Sequence, residues 1–196
     1  MVEALTIARS ELILGGQKSG KSRRAELLAR SWLASSPTHR AVLIATAQPW
    51  DEEMRERIAR HRQDRTERVP NMLTVEEPVQ VAQALVSHSQ PHTLVVVDCL
   101  TLWLTNLLMP AENNEQKTAF AHNPRAKVAI FLRAIENAAG PLVLVGNEIG
   151  LGVIPLGRET RAFVDALGRL NQDVAQVCTR VTFMAAGLPL ALKGQS

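Results

Sequence analysis

A short glycine-rich segment near the start of the chain has the residue types and spacing that bind nucleotide phosphates. Residues 15–22 read GGQKSGKS and fit the pattern G-x-x-x-x-G-K-[ST], between an apolar stretch and a helical pattern. Backbone N–H groups of such a loop turn toward phosphate oxygens, and the following helix contributes the positive end of its dipole. We therefore predict a nucleotide-binding loop formed by Gly15, Gly16, Gln17, Lys18, Ser19, Gly20, Lys21 and Ser22.

Three residues are expected to act on the phosphates and on a metal ion. The Lys21 ammonium is predicted to reach the β- and γ-phosphates and so to be catalytic, and the Ser22 hydroxyl is predicted to ligate Mg²⁺. Asp98 ends the apolar run TLVVVD, the place of the acidic metal-binding residue in P-loop NTPases. An aspartate at the end of a strand also caps helices, but with the phosphate loop present we predict that Asp98 holds Mg²⁺.

His61 lies in a helix predicted within the stretch DEEMRERIARHRQDR, residues 51–65. Acidic residues at the start of this stretch and arginines at its end complement the helix dipole. Met54, Ile58 and His61 recur at helical spacing, so the histidine falls on the apolar stripe. Such a histidine is either a core residue or a nucleophile, since a neutral imidazole can attack an α-phosphorus where arginines or a metal neutralise the charge. Spacing alone leaves both interpretations open.

Short apolar runs that alternate with helical patterns must position these residues. The runs are β-branched and nearly continuous, as in strands buried on both faces: LILGG, AVLIATA, TLVVVDCL, PLVLVGNEIG and RVTFMAAGLPLAL. Strands that alternate with helices indicate βαβ units and a mainly parallel sheet flanked by helices. At 196 residues, the chain is predicted to form one α/β catalytic domain over residues 1–196. The polar stretch 110–124 is predicted to be a flexible excursion.

Further groups of polar and aromatic residues admit two interpretations each. Asn147 and Glu148 end an apolar run and precede a glycine-rich turn, which favours a substrate or nucleotide loop but also fits an ordinary connection. Trp103 belongs to the core or to a pocket wall. The arginines of the predicted helix that follows are candidates for phosphate contacts or are simply solvated: Arg158, Arg161 and Arg169.

Composition narrows the class of protein. A hydrophobic content of 46% and a charged content of 21% are typical of a globular protein, and no apolar run reaches the roughly 18 residues that span a bilayer. The start of the chain has no basic segment before an apolar stretch, so we expect neither a signal peptide nor stable membrane insertion. Cys99 and Cys178 lie far apart and are expected to be reduced, which suits the cytoplasm. A net charge of +3 without a clean basic stripe argues against a nucleic-acid partner.

The order of motifs resembles one enzyme family closely, over roughly residues 11–193. The motifs are GGQKSGKS, IATAQPWDEEMRERIARHR, VVDCLTLWLTNLL and VGNEIGLGVIPLGRETRAFVDALGRLNQ. They are similar to the bifunctional adenosylcobinamide kinase/adenosylcobinamide-phosphate guanylyltransferase of cobalamin assembly. The resemblance implies a RecA-like P-loop fold, phosphorylation of adenosylcobinamide with ATP or GTP, and transfer of GMP from GTP to the new phosphate. It also implies a guanylylated histidine, and the matching position is His61.

The resemblance carries over further nucleotide-binding positions. These are Ala45, Thr46, Ala47, Arg62, Gln63, Asp64, Arg65, Glu76 and Asp98, beside the phosphate loop. Some members have Glu in place of Asp98, and Ala-Arg is common where this chain has Gln17-Lys18, whose side chains we expect to face outward. A homotrimer is implied as well. Two other classes compete: a monofunctional P-loop small-molecule kinase, which has no use for a nucleophilic histidine, and a RecA-like nucleic-acid ATPase, which the 4% aromatic content disfavours.

Overall fold

The computed structural model describes residues 5–109, 123–153 and 156–194, except for the side chain of Arg57. The strands are β1 (Ser10–Gly15), β2 (Arg40–Ala45), β3 (Met72–Glu76), β4 (Thr93–Asp98), β5 (Leu142–Val145), β6 (Arg180–Ala185) and β7 (Leu188–Lys193). The helices are α1 (Lys21–Ser35), α2 (Glu52–Arg68), α3 (Val81–His88), α4 (Leu100–Leu108), α5 (Pro124–Glu136) and α6 (Arg158–Val177).

The strands form one sheet in the order β3-β2-β4-β5-β1-β6-β7. Every pair is parallel except β6 and β7, which pair antiparallel as a hairpin at one edge. The predicted mainly parallel α/β sheet flanked by helices is therefore confirmed. Strand β5 lies between β1 and β4, so the phosphate loop that follows β1 and the aspartate that ends β4 flank whatever follows β5.

Helices cover both faces of the sheet. On one face, α1 packs on the side chains that β1, β2, β4 and β5 present to it, such as Ile13, Leu43 and Val96. On the other face, α3, α4, α5 and α6 pack on the alternate residues of the same strands, such as Leu12 and Val95. Because both faces are covered, the central strands are apolar at successive positions, which explains their nearly continuous hydrophobic runs.

The sequence analysis missed three elements and merged two others. Strand β3 and helices α3 and α4 were not predicted. Strand β3 is only partly buried at the sheet edge and lacks a continuous apolar run. The run RVTFMAAGLPLAL is not one strand but the hairpin of β6 and β7. Ala186 and Gly187 turn the chain there with positive φ angles of 51° and 80°, as in tight hairpin turns.

A buried carboxylate fixes the strand that leads into the phosphate loop. Glu11 in β1 is 1% exposed and accepts hydrogen bonds from Arg24 Nε at 2.9 Å and Thr182 Oγ1 at 2.8 Å. Arg180 Nη1 lies 3.3 Å from the other carboxylate oxygen. This network joins β1 to α1 and to β6, and a buried charge needs such partners.

Some predictions fall on residues whose structure is not described. Residues 110–122 of the predicted flexible excursion 110–124 are not among the described residues. Its last two residues belong to the start of α5, where Asn123 is the N-cap and Pro124 is the first helical residue. Within the described ranges, none of the helices combines the length and apolarity that crossing a bilayer requires.

Candidate active site

The predicted phosphate loop leaves β1 and leads directly into α1. Gly15 has a φ of 152°, and a Cβ atom there would lie 2.4 Å from the carbonyl oxygen of Met184, so only glycine fits. Gly20 also has a positive φ, 103°. The turn of the β6–β7 hairpin contacts the phosphate loop, since Gly187 N–H donates to the carbonyl oxygen of Ser19 at 3.0 Å.

Lys21 is the buried cation of the loop. Its side chain is folded over the loop, where Nζ donates to the carbonyl oxygen of Gly16 at 2.6 Å, and the residue is 8% exposed. Gln17 and Lys18 are exposed, as predicted for the two positions at which this sequence departs from the resembling family. The loop therefore has one buried ammonium group, that of Lys21, and one exposed ammonium group, that of Lys18.

Ser22 and Asp98 meet, as their predicted roles require. The Ser22 hydroxyl donates to Oδ2 of Asp98 at 2.8 Å, across 76 positions of sequence. The two residues come together because α1 begins where the phosphate loop ends, and β4 ends at the same edge of the sheet. Their hard oxygen donors suit Mg²⁺, which favours a few protein oxygens together with phosphate oxygens.

Thr46 links the ends of β2 and β4. It is fully buried, its hydroxyl donates to the carbonyl oxygen of Cys99 at 2.7 Å, and it accepts from the Cys99 N–H at 2.9 Å. Its own N–H donates to the carbonyl oxygen of Asp98 at 3.1 Å. Ala45 and Ala47 on either side are partly buried. Within the described structure, the Thr46 side chain positions the residues next to Asp98.

His61 lies exposed on α2, so the core interpretation of this histidine is wrong. The helix begins and ends as its charges predict: Asp51 caps it by accepting from Met54 N–H at 2.7 Å, and arginines occupy its last turn. The apolar stripe is weak, since Met54 and Ile58 are only partly buried. An exposed imidazole is free to meet a substrate.

Arg65 lies one turn after His61 on α2. It is partly buried, and burial lowers the pKa of its guanidinium, while the negative charges of Asp98 and Glu26 act against that shift. Asp98, whose charge acts on the Arg65 guanidinium, is also the carboxylate to which Ser22 donates. Residues four apart share one helix face, so His61 and Arg65 present an imidazole and a cation on the same side of α2.

The other predicted positions of α2 make contacts within the protein. Arg62 forms an ion pair with Glu76 at the end of β3, so two carried-over residues do lie together. Gln63 Nε2 donates to Glu67 at 3.3 Å, and Asp64 pairs with Arg68 at 3.3 Å. Arg68 also forms an ion pair with the buried Glu26 at 2.9 Å, which joins α2 to α1. The ion pairs of Arg62 and Arg68 thus join α2 to β3 and to α1, the helix that follows the phosphate loop.

The segment after β5 lies between the end of β4, which carries Asp98, and the start of the phosphate loop. Glu148 N–H donates to the carbonyl oxygen of Gly15 at 3.2 Å, at the start of the phosphate loop. The side-chain amide of Asn171 donates to the carbonyl oxygen of Asn147 at 3.0 Å and to Oε2 of Glu148 at 3.2 Å. Asn171 on α6 was not singled out from the sequence, because a lone Asn in a helical pattern carries no signal by itself.

The other residues with two possible roles from sequence lie either in the core or at the surface. Trp103 belongs to the core, 1% exposed, with its indole N–H donating to the carbonyl oxygen of Val79 at 3.0 Å. Both cysteines are free. Burial raises the pKa of each thiol to about 12, with the Asp98 charge adding to the effect at Cys99. The arginines of α6 proposed for phosphate contacts are exposed, and that role stays a prediction: Arg158, Arg161 and Arg169.

A phosphate loop after β1, a serine bonded to the aspartate that ends β4, and a strand between the two define a RecA-like P-loop protein. The chain belongs to the cobinamide kinase / cobinamide phosphate guanyltransferase family, whose model matches residues 11–192.

Similar proteins agree with this assignment. The chain is 45% identical over 189 residues to the bifunctional adenosylcobalamin biosynthesis protein CobP of Pseudomonas aeruginosa, covering 94% of this chain and 98% of that protein. It is 33% identical to the protein CobU of Escherichia coli, which carries the same description, covering 93% and 98%. The flagellar accessory protein FlaH of Methanocaldococcus jannaschii shares the fold, with a TM-score of 0.51, 11% identity, and coverage of 97% of this chain and 80% of that one.

Proposed function

We propose that this chain phosphorylates adenosylcobinamide with ATP or GTP and then transfers GMP from GTP to that phosphate through His61. Family membership supports the two reactions. The observation that carries the role of His61 is the placement of α2. The negative charge of Asp98 acts on the Arg65 guanidinium, and the exposed His61 lies one turn earlier on the same face of α2. A nucleotide held by the phosphate loop would then lie beside the imidazole.

The first reaction needs positioned charge more than covalent chemistry. Lys21 would balance negative charge on the β- and γ-phosphates, after exchanging its contact with Gly16 for the nucleotide. Ser22 and Asp98 would hold Mg²⁺, which would neutralise part of the negative charge of the phosphates. Ser19 supports this fit: its hydroxyl is buried and has no hydrogen-bond partner among the described residues, and a phosphate oxygen would accept from it.

The second reaction needs a nucleophile. A nitrogen of the neutral His61 imidazole would attack the α-phosphorus of GTP, forming a P–N bond as the bond to the bridging oxygen breaks and pyrophosphate leaves. An oxygen of the substrate phosphate would then attack the same phosphorus and release the imidazole. Arg65 would balance the charge that builds up on the α-phosphate, and Arg62, paired with Glu76, would define the edge of the nucleotide site.

Several further features belong to the proposal. Residues 1–196 would act as one P-loop catalytic domain, and the protein would be a homo-oligomer, with a trimer implied by the resemblance. Two free cysteines and nucleotide substrates support a cytoplasmic location. A monofunctional kinase is disfavoured because it would have no use for an exposed histidine beside an arginine that interacts with the predicted metal-binding aspartate.

The test is retention of label from [α-³²P]GTP by wild type, His61→Ala and a control, His92→Ala. His92 is exposed immediately before β4, at the opposite end of the strand from Asp98. Wild type and the control should form acid-labile labelled protein, and His61→Ala should form none while it still phosphorylates adenosylcobinamide. Labelling of His61→Ala would exclude this histidine as the nucleophile. Loss of both activities in a folded His61→Ala protein would refute the division of labour.

A further inference from the structure

Glu148 lies between the phosphate loop and the metal-binding aspartate. Strand β5 is hydrogen-bonded to β1 on one side and to β4 on the other, with Val145 opposite both Ile13 and Asp98. The chain therefore passes the level of Asp98 as it leaves β5 and reaches Glu148 three residues later. The contact from Glu148 N–H to the carbonyl oxygen of Gly15, at 3.2 Å, fixes the glutamate at the first residue of the phosphate loop.

The Glu148 carboxylate is held in place by two neutral donors. Oε1 accepts from Gly150 N–H at 3.2 Å, and Oε2 accepts from the Asn171 amide at 3.2 Å. Each oxygen keeps a lone pair for a further donor. Asp98 differs because it is the predicted metal ligand, together with Ser22, which donates to one of its oxygens. Glu76, at the end of β3, pairs with Arg62 two strands beyond β4.

Asn171 has no evident purpose except to orient this segment. It is 3% exposed and occupies a position of α6 whose buried neighbours are Leu167, Leu170 and Val174. Its Oδ1 atom finds no hydrogen-bond partner in the described part of the protein. A buried polar atom left unpaired is destabilising, so the Asn171 amide must bring a benefit that offsets this cost. The benefit of the amide lies in its two donated hydrogen bonds, to the Asn147 carbonyl and the Glu148 carboxylate.

We propose that Glu148 is the general base of the phosphorylation step and that Asn171 is its positioning residue. The carboxylate removes the proton of the substrate hydroxyl as that oxygen attacks the γ-phosphorus. The new O–P bond forms, the bond from the γ-phosphorus to the bridging oxygen breaks, and a nucleoside diphosphate leaves. The inference rests on the proposed function, and it separates the two reactions. Guanylyl transfer starts from an ionised phosphate oxygen and needs no such base.

The test compares Glu148→Gln with a matched control, Glu159→Gln, which removes an exposed carboxylate from the first turn of α6. Two assays are run on each protein: transfer of label from [γ-³²P]ATP to adenosylcobinamide, and labelling of the protein by [α-³²P]GTP. Glu148→Gln should lower kcat for phosphorylation about 10²-fold or more, as expected for loss of a general base. Its labelling by GTP and its affinity for nucleotide should stay within about threefold of wild type, as should both activities of the control.

Two further variants keep the test decisive. Asn171→Leu should still fold, because its side chain would lie among buried apolar neighbours, yet lower kcat for phosphorylation about tenfold with little change in KM, because the base is present but loosely held. Glu148→Asp keeps the charge one methylene short and should retain more activity than Glu148→Gln, yet remain about tenfold below wild type.

Three results would overturn the inference: phosphorylation by Glu148→Gln or Glu148→Asp within threefold of wild type, loss of GTP labelling together with phosphorylation in Glu148→Gln, or a normal kcat in Asn171→Leu. Failure of wild type to phosphorylate adenosylcobinamide would instead refute the proposed function. The two failures are therefore distinguishable.

Discussion

Replacing Lys21 by alanine should remove both activities while leaving the fold intact. The side chain does two things in the structure: it carries the buried positive charge of the phosphate loop, and it donates to the Gly16 carbonyl oxygen at 2.6 Å. Both proposed reactions place a nucleoside triphosphate in this loop. Loss of the charge should therefore weaken phosphorylation and guanylylation together.

The magnitude follows from these two contacts. Removing one preorganised donor from the position where charge develops lowers the rate about 10²- to 10³-fold, equivalent to about 3–4 kcal/mol in the transition state. A hydrogen bond from a charged group contributes about 1.5–3 kcal/mol, so the loop of the variant should also hold its shape less firmly. Nucleotide affinity should fall as well, though less than turnover. The remaining backbone N–H groups of residues 15–22 still face the phosphates.

Lys18→Gly is the matched control for this experiment. It removes an exposed ammonium from the same loop, at a position whose φ of 56° glycine adopts readily. Turnover of both reactions is measured for the two variants, with circular dichroism and thermal unfolding as checks of folding. The reasoning would be refuted by a Lys21→Ala protein with near-normal turnover, or by equal losses in the two variants.

Three other perturbations test separate parts of the structure. Asp98→Asn should raise the Mg²⁺ concentration needed for half-maximal rate and lower turnover about 10²-fold, with nucleotide binding less affected; an unchanged Mg²⁺ dependence would contradict the metal role. Glu11→Ala should lower the free energy of unfolding by about 3 kcal/mol in urea titrations, because it leaves two partly buried arginines without their carboxylate. Because the pKa of Cys178 rises from 9.0 to about 12 in the folded state, the unfolded chain loses this proton first as pH rises. Between pH 8 and 10.5 wild type should therefore lose about 2 kcal/mol more stability than Cys178→Ala, and parallel pH profiles would argue against the buried, protonated thiol.

The phosphate loop and its strand could be predicted from sequence because all their determinants are local. The glycines, the lysine and the serine lie within eight residues, and the apolar run before them and the helix after them are continuous. The same holds for Asp98, which directly follows its strand, and for the start of α2, where the cap and the first-turn charges are neighbours. The structure also brings Ser22 to Asp98 as their separate predictions required.

Features that depend on distant neighbours could not be predicted. Strand β3 is recognisable only once β2 pairs with it, because its partly exposed side chains show no clear pattern. The hairpin of β6 and β7 was hidden because Ala186, which is not a usual turn residue, adopts a left-handed conformation beside Gly187. The proposed role of Asn171 depends on α6 lying beside the segment that follows β5. His61 shows the opposite error: helical spacing placed it on an apolar stripe, but the stripe is too weak to bury the face on which it lies.

The central claim, a covalent guanylyl-histidine that serves the second reaction, is tested most directly by a chase experiment. Wild-type protein labelled with [α-³²P]GTP is freed of nucleotide and mixed with adenosylcobinamide phosphate, and the label is followed on the protein and in the small-molecule fraction. The account predicts that label leaves His61 and appears in adenosylcobinamide-GDP without added GTP. Label that stays on the protein, or a wild-type protein that never becomes labelled although it forms product, would contradict it.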